Sequence, residues 1–181
     1  VGSEMCITDS NHTGYMDFLP AALGVYRAGR RTRFMIKSEV MDIAIMRFLV
    51  NHTSTVPVDR SEGAQAYTAA VDALRAGEIV AVYPEATISR SFELKAFKTG
   101  AVRMAAEARV PIVPAIVWGA HRQWTKTGKR NMGRSKLPVS VRFGLPLAID
   151  SAVDPSAETA RLRDAMSTML HEVQDLSLIH I

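Results

Sequence analysis

Tyr67-Thr68-Ala69-Ala70-Val71-Asp72-Ala73-Leu74-Arg75-Ala76-Gly77-Glu78-Ile79-Val80-Ala81-Val82-Tyr83 carries the pattern that decides the fold. Tyr67, Ala70, Val71 and Leu74 recur at i, i+3, i+4 and i+7, the apolar stripe of an amphipathic helix, and Gly77 ends it. Ile79 to Tyr83 then runs apolar without interruption, as a buried strand does. The same alternation extends in both directions. Upstream, the pattern predicts a strand over Met5–Thr8, a helix from about Leu19 to Ala28 with Pro20 in its first turn and Gly29 past its end, and a strand over Thr32–Lys37. A helical stripe of Val40, Ile43, Met46, Leu49 and Val50 follows Ser38, and Thr53–Val58 returns to strand. Downstream, Lys98–Ala108 reads as helix, and Ile112–Trp118 and Val139–Phe143 read as strands. Asp154-Pro155 opens a last helix with the face Leu162, Met166, Met169, Leu170 and Val173. The expected fold class is therefore α/β: a largely parallel or mixed sheet flanked by helices in a single domain, with functional groups gathered at strand ends.

Length and composition agree with one soluble core. A chain of 181 residues can bury about 70% of its unfolded surface without disulfides or metals. Cys6 is the only cysteine, which excludes an internal disulfide and thiolate metal clusters, and it reads as a core residue of the first strand. The net charge of +4 points toward anionic partners: phosphorylated ligands, acidic lipid or nucleic acid. No apolar run reaches the ~18 residues of a membrane span, and no signal peptide is evident. The start at Val1 and the closing Leu-Ser-Leu-Ile-His-Ile suggest a fragment. The domain is expected to occupy residues 1–175, with 176–181 a non-native tail.

Asn11-His12-Thr13-Gly14-Tyr15-Met16-Asp17 places an imidazole and a carboxylate five residues apart, just after the first strand. In a regular helix that spacing corresponds to roughly 500° and 7.5 Å, so the two side chains meet only if His12 sits in the turn before the helix. A carboxylate on one ring nitrogen would fix the tautomer and support an imidazolium formed at the other. The pair alone also fits a polar turn with an incidental Asp. Arg60 ends the Val58-Asp59-Arg60 segment with a planar fork suited to phosphate. Glu85, Ala86, Thr87, Ser89 and Arg90 follow the Ile79–Tyr83 strand, with Lys98 close behind. Both segments could leave the same sheet edge as the His12 turn. His52, His121 and His171 have no partner at useful spacing and read as solvated or structural.

With these blocks in order, the chain resembles the glycerolipid acyltransferases related to 1-acylglycerol-3-phosphate O-acyltransferase, a bacterial-type member in particular. Asn11-His12 and Asp17 match their Asn-His-x-x-x-x-Asp. Val56–Arg60 matches the block that ends in a phosphate-binding arginine, and Tyr83-Pro84-Glu85-Ala86-Thr87 matches Phe-Pro-Glu-Gly-Thr. Val110–Pro114 matches the apolar Val-Pro block, and Phe97-Lys98-x-Gly100-Ala101 another family stretch. Ala86 stands where the family has Gly and Ile88 where it usually has Arg; Arg90 fits a second family arginine, and head-group choice stays open.

The resemblance implies a glycerol-3-phosphate acyltransferase-like fold and direct acyl transfer from acyl-CoA or acyl carrier protein to the free hydroxyl of a lysophospholipid. His12 would be the base and Asp17 its orienter, with Asn11, Arg60, Glu85, Ala86, Thr87, Arg90 and Lys98 binding substrate. No cofactor or metal is expected, the acyl thioester serving as co-substrate. The implied partners are the lysophospholipid acceptor, the thioester donor and an anionic membrane surface at the cytoplasmic face, with no nucleic acid. Two rivals are a hydrolase, which lacks a Gly-x-Ser-x-Gly elbow, and a non-catalytic binder of anionic membrane or nucleic acid, suggested by Arg27, Arg30, Arg31, Arg33 and the basic stretch Arg122–Lys136. That stretch, with Trp124 inside it, would meet anionic membrane or the donor's phosphates.

Overall fold

The computed structural model describes residues 7–10, 18–27, 29–30, 32–37, 56–58, 63–85, 92–122 and 138–179. Their elements are β1 (Ile7–Ser10), α1 (Phe18–Arg27), β2 (Thr32–Lys37), β3 (Val56–Val58), α2 (Gly63–Arg75), β4 (Ile79–Val82), α3 (Gly100–Ala108), β5 (Ile112–Trp118), β6 (Ser140–Phe143) and α4 (Pro155–Ile179). A short 3₁₀ turn at Ala120–Arg122 follows β5. The α/β class read from the sequence is the class observed. The helix expected over 39–50 and residues 53–55 of the strand expected over 53–58 lie outside the described residues; residues 56–58 are strand.

The strands form one sheet in the order β3-β2-β4-β1-β5-β6. Every neighbouring pair is parallel except β5 with β6. The sheet is therefore mixed only at its last edge. The β1-to-β2 connection travels toward the β3 edge, whereas the β3-to-β4 and β4-to-β5 connections travel toward the β6 edge. Crossovers that share one hand must then lie on opposite faces of the sheet.

Burial shows this arrangement directly. Ala70, Val71 and Leu74 of α2, Val102, Met104 and Ala105 of α3, and Leu162, Met166 and Leu170 of α4 pack with Val80, Val82, Ile112 and Ile116. On the other face, Phe18 and Ala21 of α1 pack with Phe34, Ala81 and Val117. Alternate residues of β4 and β5 thus point into different layers, the period of two that a strand imposes.

The helix ends have local causes. At the end of α2 the Glu78 amide donates to the Ala73 carbonyl at 3.0 Å and the Gly77 amide to Leu74 at 3.1 Å, with Gly77 at φ 88°. A glycine accepts this left-handed turn without steric cost. Asp154 caps α4 by accepting the Ser156 amide at 3.2 Å. No Gly or Pro interrupts the chain beyond Asp175, and α4 continues through Ile179, so the boundary expected at 175 does not coincide with a helix end.

Candidate active site

All five parallel strands point their carboxyl ends to one edge of the sheet. At that edge β1 and β4 are neighbours, yet the chain leaves β1 for α1 on one face and β4 for α3 on the other. Divergent connections open a crevice between adjacent strand ends, where ligands bind in open α/β sheets. The segment bearing Asn11, His12 and Asp17 leaves the sheet from the end of β1, and Tyr83-Pro84-Glu85 from the end of β4. The segment bearing Arg60 leaves from β3, three strand positions from β1, about 14 Å at the usual interstrand spacing. Asn11, His12, Asp17, Arg60, Ala86, Thr87 and Arg90 lie outside the described residues, as does most of the basic stretch Arg122–Lys136.

Glu85 and Lys98 are described. Glu85 is only 4% exposed, and its carboxylate accepts the Lys95 amide at 3.2 Å. The Lys98 amide donates to the Pro84 carbonyl at 3.0 Å, while the Lys98 side chain is exposed. These two bonds close the base of the loop that connects β4 to α3. The helix α3 begins at Gly100, two residues after the Lys98 expected to open it. Glu85 thus ties the end of β4 to Lys95.

Beside this loop, at the end of β5, Phe92, Trp118 and His121 form an aromatic cluster. Their ring centroids are 5.5 Å apart for Phe92 and Trp118, 5.0 Å for Phe92 and His121, and 4.8 Å for Trp118 and His121. Gly119 turns the chain out of β5 at φ 99°, and a Cβ there would collide with the Pro138 carbonyl oxygen. The turn into Ala120–Arg122 therefore requires glycine. His121, read from the sequence as solvated or structural, packs its ring into this cluster. His171, read as solvated or structural, is exposed and stands 3.2 Å from the Glu93 carboxylate, a partner distant in sequence that the fold brings near. In the layer of α2 and α3, Tyr67 donates to Glu107 at 2.8 Å. Its phenol pKa is raised, first by burial and then by that carboxylate; this is a helix-to-helix contact.

The arrangement defines a doubly wound α/β domain in which the chain leaves the neighbouring carboxyl ends of β1 and β4 on opposite faces of the sheet. Residues 3–118 match the model of the Acyltransferase family, and the chain belongs to that family. A 1-acyl-sn-glycerol-3-phosphate acyltransferase of Limnanthes douglasii is 30% identical over 145 residues, covering 78% of this chain and 50% of its own length. Its counterpart from Bacillus subtilis (strain 168) is 27% identical over 167 residues, covering 91% of this chain and 78% of its own. The chain thus spans about half the length of the Limnanthes relative. The crystal structure of the 1-acyl-sn-glycerophosphate (LPA) acyltransferase PlsC from Thermotoga maritima superimposes with a TM-score of 0.75 at 19% identity, over 96% of this chain and 68% of that one. The glycerolipid acyltransferase fold expected from the motifs is the fold observed.

Proposed function

We propose that this domain transfers a fatty acyl group from acyl-CoA or acyl carrier protein to the free hydroxyl of a lysophospholipid, with 1-acylglycerol-3-phosphate the favoured acceptor. One observation supports the reading: β1, β3 and β4, which His12, Arg60 and Glu85 follow in the sequence, all end at the carboxyl edge of the sheet, with β1 and β4 adjacent. His12 takes the proton of the acceptor hydroxyl as its oxygen attacks the thioester carbonyl, and Asp17 holds the ring in the productive tautomer. Collapse of the tetrahedral intermediate expels the thiolate, which recovers the proton from the imidazolium. Backbone amides near Gly14 or Glu85 stabilise the oxyanion. Arg60 binds the acceptor phosphate, with Asn11, Ala86, Thr87, Arg90 and Lys98 completing the substrate contacts. Because a thiolate leaves readily, the scheme requires neither a covalent acyl-enzyme nor a metal or cofactor.

The acceptor resides in a bilayer, and α1 offers a surface to meet one. The outward face of α1 carries Leu23, 54% exposed, and Tyr26, 68% exposed. From Phe18 to Ser38 the sequence holds five Arg and Lys and no acidic residue. Arg33 is matched by Glu78, while Arg27 at the end of α1 is exposed. An apolar strip with Tyr and neighbouring cations fits an anionic lipid surface, where Tyr favours the interface and each cation contributes about 1 kcal/mol. No helix among the described residues is long and apolar enough to cross a membrane, so α1 would lie on the bilayer.

The test is to incubate the protein with acyl-CoA and a panel of lysophospholipids while following free thiol and diacyl product. Equal yields of both, highest with 1-acylglycerol-3-phosphate, are expected. Thiol release without diacyl product would instead identify a hydrolase, and no turnover would reject the reading.

A further inference from the structure

Residues 92–95 join the loop after β4 to α3 without forming a strand or helix, so their backbone polar groups need partners from elsewhere. Donors on α4 supply them. Gln174 Nε2 donates to the Phe92 carbonyl at 2.8 Å, and His171 Nε2 lies 3.2 Å from the Glu93 carboxylate. Arg163 donates from Nη2 to the Leu94 carbonyl at 3.4 Å and from Nε to the Lys95 carbonyl at 3.3 Å. Four consecutive residues are thus held by one helix. Arg163, His171 and Gln174 fall within about 80° of one another around α4 at the helical period, beside the apolar face of Leu162, Met166, Leu170 and Val173 that anchors the helix in the core.

The held segment is continuous with the site. The Lys95 amide, whose own carbonyl Arg163 grips, donates to the Glu85 carboxylate, and the Lys98 amide donates to Pro84. Both ends of the 86–91 segment, Glu85 and Phe92, are therefore fixed, one by the Lys95 amide and the other by Gln174. The braces lie beyond residue 118, where the family match ends.

We infer that α4 is a positioning element for acceptor binding: Arg163, assisted by Gln174, holds residues 92–95 and, through the Lys95 amide, sets the Glu85 carboxylate for the phosphorylated acceptor. This rests on the functional reading above. The planar guanidinium suits Arg163 to two successive carbonyls, whereas an ammonium is a point donor. Arg163→Lys should accordingly restore only part of what Arg163→Ala removes.

Two readouts on the same variants test the inference. Hydrogen exchange at the Lys95 and Lys98 amides should quicken about tenfold in Arg163→Ala, with β5 amides unchanged. KM for 1-acylglycerol-3-phosphate should rise about tenfold while KM for acyl-CoA stays within twofold. Gln174→Ala should shift both in the same direction by less, and it carries the test if Arg163→Ala fails to fold. Wild-type exchange, or an acceptor KM that does not move in either folded variant, would overturn the proposal. Should the wild-type protein acylate no lysophospholipid, the acceptor role falls with the functional reading, and exchange still decides whether α4 holds the loop base.

Discussion

The helices on the two faces of the sheet are built for different surroundings. α4 buries Leu162, Met166, Leu170 and Val173 and shows solvent Asp164, Thr168, Glu172 and Asp175, the division expected where one side meets water. α1 buries Phe18, Ala21 and Val25 yet turns Leu23 and Tyr26 outward. α1 thus departs from the division of apolar and polar faces that α4 keeps. The difference separates two roles: the α4 layer packs the core and holds residues 92–95, while the outward face of α1 is the surface proposed above to meet lipid.

The largest expected contrast is in stability. Leu162→Ala or Met166→Ala should cost about 2–5 kcal/mol through the cavity left in the core, whereas Leu23→Ser should change stability by less than ~0.5 kcal/mol. Denaturant melts will measure both. Equal losses would mean that the outer face of α1 is packed against protein, and the comparison would break.

Glu85→Ala comes next. It removes the part-buried hydrogen bond from the Lys95 amide to a carboxylate, and a hydrogen bond to a charged group contributes about 1.5–3 kcal/mol. The loss should appear as local exchange at Lys95 together with a lower melting temperature; an unchanged Lys95 amide would show that the bond does not hold the loop.

On the lipid side, Arg27→Ser should weaken co-sedimentation with acidic vesicles by about fivefold, the factor corresponding to about 1 kcal/mol. Leu23→Ser with Tyr26→Ser should weaken binding to neutral vesicles too. Unaltered binding in both would remove α1 from the membrane contact. The smallest effect belongs to Arg142→Ala, which deletes the 2.7 Å ion pair with Glu172 between β6 and α4. Both partners are about half exposed, and less than ~1 kcal/mol should be lost.

Much of this architecture can be read in the sequence because its signals are local. Thr32–Lys37 and Ile112–Trp118 are strands with the expected bounds, and Gly77 ends α2 through two carbonyls within its own last turns. What could not be read depends on partners distant in the chain. Lys98 bonds back to Pro84, His171 finds Glu93, and Arg163 reaches Leu94 and Lys95. None of these pairings leaves a spacing that marks it. The strand order is equally nonlocal, although it creates the crevice between β1 and β4. The motifs named Glu85 and Lys98, but the support for Glu85 arrives through the Lys95 backbone, where side-chain identity carries no signal.

The most direct test of the site is kcat/KM for transfer from acyl-CoA to 1-acylglycerol-3-phosphate by folded His12→Ala protein, compared with wild type. Loss of a positioned base should lower it by about 10²- to 10⁴-fold, with the melting temperature unchanged; turnover at the wild-type level would contradict His12 as the base at the carboxyl edge of the sheet.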